Sequence, residues 1–174
     1  MKAILTVGVS ASGKSTWAAN FVEQKKLENE NWIVINQDEI RLAIVRSEKG
    51  NNINEVAELK NWDYTYQGEA ETKMSNYWDN LTKETISKDY TGIIISDTNL
   101  DGGVKKINKL ISFGIELNNI FIQEFSITFE EALERDQNRK FSVGSDVLKM
   151  QFERLEALYE KRRQEKANTP KMKL

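Results

Sequence analysis

Residues 8–16, Gly-Val-Ser-Ala-Ser-Gly-Lys-Ser-Thr, carry the spacing G-x-x-x-x-G-K-[ST] of a loop that cradles the phosphates of a nucleoside triphosphate. Gly8 and Gly13 let the backbone turn so that successive N–H groups converge on one phosphate. The helix that follows adds its positive dipole at the same place. Lys14 is placed to reach the β and γ phosphates, and the Ser15 hydroxyl to ligate Mg²⁺. Gly8, Ser10, Ala11, Ser12, Gly13, Lys14, Ser15 and Thr16 are therefore the expected nucleotide-binding residues, with ATP and Mg²⁺ as the expected ligands. A chance glycine-rich turn is the alternative. The apolar run Ala3–Val7 before the loop and the helical spacing of Trp17, Ala18, Phe21 and Val22 after it speak against that.

A kinase also needs a group that holds the acceptor hydroxyl in line and takes its proton. The chain has no histidine and no cysteine, so such a base must be a carboxylate and any divalent metal must sit on oxygen. Asp38 follows the second apolar run, in Asn36-Gln37-Asp38-Glu39-Ile40-Arg41, and is the candidate base. A helix cap is the other reading of Asp38, and Glu39 is the competing carboxylate. Arg41 falls three residues on, where it would share a helical face with Asp38 and clamp an acceptor phosphate, or else form a surface salt bridge. Asp97 ends the third apolar run in the manner of a Walker-B acid, to bind a Mg²⁺-ligating water, to orient Arg41, or only to cap; Thr98 offers a hydroxyl to an acceptor phosphate. Arg135-Asp136-Gln137-Asn138-Arg139-Lys140 reads as a lid between two helices, with Arg139 as an arginine finger in cis, or as a solvated basic turn. Trp62, Tyr64, Tyr66, Tyr77 and Trp78 could stack on bases, although core packing suits aromatics at helical spacing better. Asn108-Lys109 is followed by Leu110 and Ile111 inside a helical pattern, so the guanine-reading N-K-x-D signature is absent.

These residues need a scaffold. Ala3–Val7, Trp32–Ile35, Gly92–Ser96 and Ile120–Phe125 read as buried parallel strands separated by helices. The expected fold is α/β, a P-loop NTPase fold with a four-stranded parallel sheet flanked by helices and a helical lid. Ligands of such a sheet bind beyond the carboxyl ends of its strands, where the phosphate loop, Asp38 and Asp97 all fall. Expected helices cover Lys14–Lys25, the stretch with Ile40 to Val45, Gln67–Lys88, a stretch capped by Asp101 and stopped by Gly114, one capped by Thr128 with Glu131 and ending near Arg135, and one from Ser145 or Asp146. Ser47–Asn54 reads as a polar loop. One domain over residues 1–166 and a frayed tail over 167–174, with the only proline, Pro170, are expected. With 25 basic and 27 acidic residues the chain is nearly neutral, which disfavours coating long nucleic acid but allows a basic pocket for one strand end. The N-terminus enters a strand directly and no apolar run approaches membrane length, so a cytoplasmic protein without a membrane partner is expected.

With these motifs in view, the chain resembles the 5′-kinase domain of the bacteriophage polynucleotide kinase–phosphatase family. The resemblance rests on Gly13-Lys14-Ser15-Thr16-Trp17-Ala18, Ile35 through Arg41, Ile95-Ser96-Asp97-Thr98-Asn99-Leu100, and Arg135 through Arg139 with Asp146-Val147-Leu148. It implies that Asp38 is the general base, that Arg41 binds the acceptor phosphate, that Asp97 and Thr98 line the acceptor site, and that Arg139 is the lid arginine; Arg135 is a further candidate for the nucleotide. It further implies transfer of the ATP γ-phosphate to the 5′-OH end of DNA or RNA. No D-x-D-x-[TV] motif occurs, so no phosphatase domain is expected, and Gln37 stands where the family has a basic residue. Residues 48–66 match poorly and are expected to wall the acceptor channel. A related kinase acting on a hydroxymethylated base in DNA or on a small alcohol would keep the same core and differ there. A nucleotide-dependent scaffold without catalysis is the reading from another class.

Overall fold

The computed structural model describes residues 1–168. Four strands, β1 (Lys2–Val7), β2 (Trp32–Ile35), β3 (Gly92–Ile95) and β4 (Ile120–Glu124), form one parallel sheet in the order β2-β3-β1-β4. This is the expected four-stranded α/β sheet. All of β3 is buried, because Ile93, Ile94 and Ile95 meet helices on both faces. Gly92 has no room for a side chain, since a Cβ there would lie 2.3 Å from the Trp32 ring.

Eight helices connect and flank the strands among the described residues: α1 (Lys14–Leu27), α2 (Gln37–Lys49), α3 (Glu55–Lys60), α4 (Trp62–Thr65), α5 (Ala70–Ile86), α6 (Val104–Ser112), α7 (Phe129–Gln137) and α8 (Ser145–Asn168). One core joins β1, β2 and β3 to α2, α4, α5 and α6 through Leu5, Ile40, Ile44, Trp62, Trp78 and Leu110. A second packs Val7 and Val9 against Ala132 of α7 and Leu148 and Leu155 of α8, with Phe152 and Tyr159 half-buried against it.

Four local expectations are corrected. Ser47, Glu48 and Lys49 belong to α2, whose polar last turn is held by ion pairs to Glu58 and Lys73, so only residues 50–54 form the loop. The α6 cap is Gly103 at φ 72°, not Asp101, whose carboxylate instead accepts from the Gly103 N–H at 2.8 Å. A Cβ on Gly103 would come within 2.7 Å of Leu5, so glycine is required by packing as well as by φ. The helix expected to end near Arg135 runs on to Gln137, which takes half of the expected lid motif into its last turn. Two short helices, α3 and α4, occupy a stretch with no expected element. Helix α8 continues through Asn168, and the remainder of the expected tail, with Pro170, lies outside the described residues. Among the described residues no helix is long and apolar enough to cross a membrane.

Candidate active site

The cleft lies at the carboxyl ends of β1, β2 and β3 and encloses about 670 Å³. One wall is the phosphate loop with Ser10, Ala11, Gly13, Lys14, Ser15 and Thr16; a second is the start of α2 with Asp38 and Arg41; the lid supplies Arg135 and Arg139. The loop is built under local constraint. A Cβ on Gly8 would meet the Phe125 carbonyl at 2.9 Å, and Ala11 sits at φ 61°, a conformation alanine adopts only when its surroundings enforce it. Gly13 caps α1 at φ 94° with no side chain on the first-turn N–H groups, which leaves the helix start open to an anion. Gly8 and Ser12 stand behind the lining residues, and the Ser12 hydroxyl accepts from Lys14 Nζ at 3.4 Å.

Lys14 is buried, and its ammonium also donates to the Val9 carbonyl. Burial first, and then the Arg139 guanidinium, lower its pKa to about 8, against a smaller opposing pull from Asp97. A lysine so placed gains most from a polyphosphate, which would restore the solvation that folding removes.

Asp38 enters through the cap of α2. The Asn36 side chain accepts from the N–H groups of Asp38 and Glu39 and donates to the Ser96 carbonyl at 2.6 Å, tying the helix start to the end of β3. The cap is thus Asn36, which leaves the Asp38 carboxylate free to face the cleft. Arg41 Nη1 donates to Asp38 Oδ1 at 2.6 Å, so the two share a face of α2. Asp38 is half-exposed.

Asp97 does not contact Arg41 by any hydrogen bond or ion pair. Its Oδ1 accepts from the Gln37 N–H at 2.8 Å and its Oδ2 from Lys106 Nζ at 2.5 Å, while Lys106 also reaches Asn99 at 2.9 Å. Asp97 therefore orients the α2 N-terminus, on which Asp38 and Arg41 are carried, rather than Arg41 itself. Thr98 lines the cleft, and its carbonyl accepts from the Gly8 N–H at 3.0 Å.

The lid hangs on Asp136, which is buried and accepts from the Ser142 hydroxyl and from the Val143 and Gly144 N–H groups. Burial alone would raise its pKa, but these hydrogen bonds and the Arg139 guanidinium prevail and hold it below the usual aspartate value. Arg135 pairs with Glu131 and Arg139 with Asp136, at 2.5 and 3.5 Å. Lys140 bonds Glu55 of α3 at 2.6 Å, and Glu55 also binds Arg46 of α2, so the lid segment is linked to α3 and through it to α2. Of the five aromatics, Trp62, Tyr66 and Trp78 are core residues, while Tyr64 and Tyr77 are exposed.

Three lining or supporting residues escape sequence reasoning. Val143 and Gln151 line the cleft, and Gln151 Oε1 accepts from the Ser10 N–H at 2.7 Å, across a separation of 141 residues. Lys106 lies in a helix with no local sign of its partner.

Residues 4–162 match the AAA domain family (AAA_33), and the chain belongs to that family. The fold is that of P-loop kinases. It aligns with shikimate kinase from Acinetobacter baumannii at a TM-score of 0.51 and 16% identity, over 92% of this chain and 79% of that one. A gluconokinase from Sinorhizobium meliloti 1021 aligns at 0.49 and 18%, over 88% and 74%, and deoxyadenosine kinase from M. mycoides at 0.46 and 17%, over 91% and 84%.

Proposed function

We propose that the protein is an ATP-dependent kinase acting on an alcohol, and that its acceptor is the 5′-hydroxyl end of DNA or RNA. The observation that carries the reading is one cleft lined both by a lysine-bearing phosphate loop and by the Asp38–Arg41 pair at the start of α2. Lys14 and the open first turn of α1 suit the β and γ phosphates. Arg135 and Arg139 supply positive charge from the lid, where it offsets charge on the transferring phosphoryl group. Asp38 holds the acceptor hydroxyl and accepts its proton as the new P–O bond forms and the bond to ADP breaks. Arg41 suits an acceptor that carries its own phosphate.

Mg²⁺ fits this donor set. Ser15 lines the cleft, the buried Ser96 hydroxyl beside it lacks a protein partner, and no trio of acidic side chains competes among the described residues. Mg²⁺ keeps waters and phosphate oxygens as most of its ligands and would be held by Ser15, supplying charge neutralisation to the phosphates.

The polynucleotide acceptor rests on the resemblance of the motifs around Asp38, Asp97 and the lid to those of the 5′-kinase domain of the polynucleotide kinase–phosphatase family. A small alcohol bearing an anion is the second reading, favoured by the fold shared with shikimate kinase. The experiment is transfer of label from γ-labelled ATP to 5′-OH DNA and RNA oligonucleotides, nucleoside 3′-monophosphates and small alcohols. Labelled polynucleotide ends support the first reading. Labelled small alcohols alone select the second, and ATP binding without transfer to any acceptor refutes both.

A further inference from the structure

The guanidinium of Arg41 is constrained on two sides. Its Nη1 donates to Asp38, and its central carbon lies 6.0 Å from the ring centroid of Trp62. Its Nε is buried and has no hydrogen-bond partner. A guanidinium whose plane is fixed can offer its remaining N–H donors to a planar or tetrahedral oxyanion in a set direction.

Trp62 is 4% exposed, too buried to stack on a nucleobase. It is itself held. Its ring packs 4.4 Å from that of Tyr66, and the Tyr66 hydroxyl donates to Glu48 Oε2 at 2.7 Å, which Lys73 also binds at 2.9 Å. Glu48 lies in the last turn of α2, the helix whose first turns carry Asp38 and Arg41. The insert between α2 and α5 thereby turns back onto its own helix and presents an aromatic face to the arginine.

We infer that Trp62 is a positioning residue that fixes the plane of the Arg41 guanidinium, which lines the cleft, toward an anionic oxygen group of the acceptor. The inference rests on the kinase reading above and adds to it the residue that sets the direction of acceptor recognition. Without the ring, Arg41 keeps its charge and its bond to Asp38 but loses the face that fixes its plane. The cost falls on acceptor binding rather than on the nucleotide or on proton transfer.

The test reads Arg41 directly. Its Nε–Hε resonance is identified in ¹⁵N-labelled protein by its loss in Arg41→Lys, and inorganic phosphate is titrated as the probe anion. The signal should move with phosphate in the wild type and in Trp62→Phe, and should move several-fold less in Trp62→Leu. Tyr66→Phe, which keeps the ring but drops the bond to Glu48, should give an intermediate response even if Trp62→Leu does not fold. In turnover, with whichever acceptor is labelled, Trp62→Leu should raise acceptor KM about tenfold while kcat and the KM for ATP change less than about twofold. A wild-type signal indifferent to phosphate, or equal responses with and without the ring, overturns the inference. A phosphate response without any labelled acceptor instead defeats the kinase reading and leaves the positioning role standing.

Discussion

Lys106 places its ammonium 2.5 Å from Asp97 Oδ2, and the opposite oxygen of the same carboxylate receives the N–H of Gln37. A lysine of α6 thus neutralises the acid at the end of β3, and the acid fixes the first residue of the helix that bears Asp38. Asp97 is only 7% exposed, so removing its cation leaves a charge that water cannot reach. Lys106→Ala should destabilise the fold by about 3 kcal/mol, the usual scale when one member of a buried pair is lost. Lys106→Met combined with Asp97→Asn should recover most of that. Urea unfolding of Lys106→Ala, Lys106→Met, Asp97→Asn and the double variant decides it; additive losses would show that the two side chains do not act together.

Asp38 and Lys14 should separate in kinetics. Asp38→Ala removes the proposed proton acceptor while leaving the phosphate loop whole, so ATP affinity should stay near wild type and kcat fall at least about a hundredfold. Single-turnover transfer and nucleotide binding measured on the same preparation check this. Near-normal turnover would remove Asp38 from the mechanism.

The lowered Lys14 pKa has a sign that can be worked out. Its value falls from 10.5 to about 8 on folding, so the folded protein binds fewer protons than the unfolded chain between those limits. Burying the charged ammonium costs stability below pH 8, on the order of 3 kcal/mol, and that cost fades as pH rises through the window to 10.5. ATP binding draws on the charged form. Its Kd should therefore be nearly flat below pH 8 and should weaken above it, by at most about tenfold per pH unit for one linked proton. Lys14→Arg, which stays charged, should lack the slope. An equally steep rise in that variant would assign the linkage to another group.

What could be read without coordinates was local. The phosphate loop is contiguous, the buried strand Ile93–Ile95 is an unbroken β-branched run, and Asp38 and Arg41 stand one helical turn apart, so each announces itself within a few residues. The missing parts are partnerships across the chain. Gln151 meets Ser10 and Lys140 meets Glu55 at separations of 141 and 85 residues, and neither spacing has a pattern. The insert failed for a related reason. Helices α3 and α4 have six and four residues, too short for a period to show, and are held by the burial of Trp62 rather than by propensity. At Asp101 a good capping residue lost to Gly103, because the chain there needs a positive φ close against Leu5.

Asp136 anchors the lid by accepting from Ser142, Val143 and Gly144 while nearly inaccessible. Asp136→Asn keeps the shape but supplies an amide where acceptors are needed, and should cost about 2 kcal/mol. Because its folded pKa lies below 3.8, the wild-type contribution is complete above that value and is lost as pH falls through the lower folded one. The difference in unfolding free energy between wild type and Asp136→Asn should thus shrink below pH 3.8. A difference constant down to the acid transition would mean that the carboxylate's charge is irrelevant to the lid.

The bond from Lys140 to Glu55 joins the lid segment to α3, and Glu55 in turn binds Arg46 of α2. Lys140 is well exposed, so the link is weak, reversible and screened by salt. Under the proposed kinase reading such a link suits a lid that opens to admit an acceptor and release product. Lys140→Met should leave Tm nearly unchanged, since the core is untouched, but raise hydrogen exchange at the amides of 141–144 by about two- to fivefold. Adding about 0.5 M KCl to the wild type should produce the same acceleration by screening the pair. Equal exchange in both proteins at low salt would show that Asp136 alone determines the position of the lid.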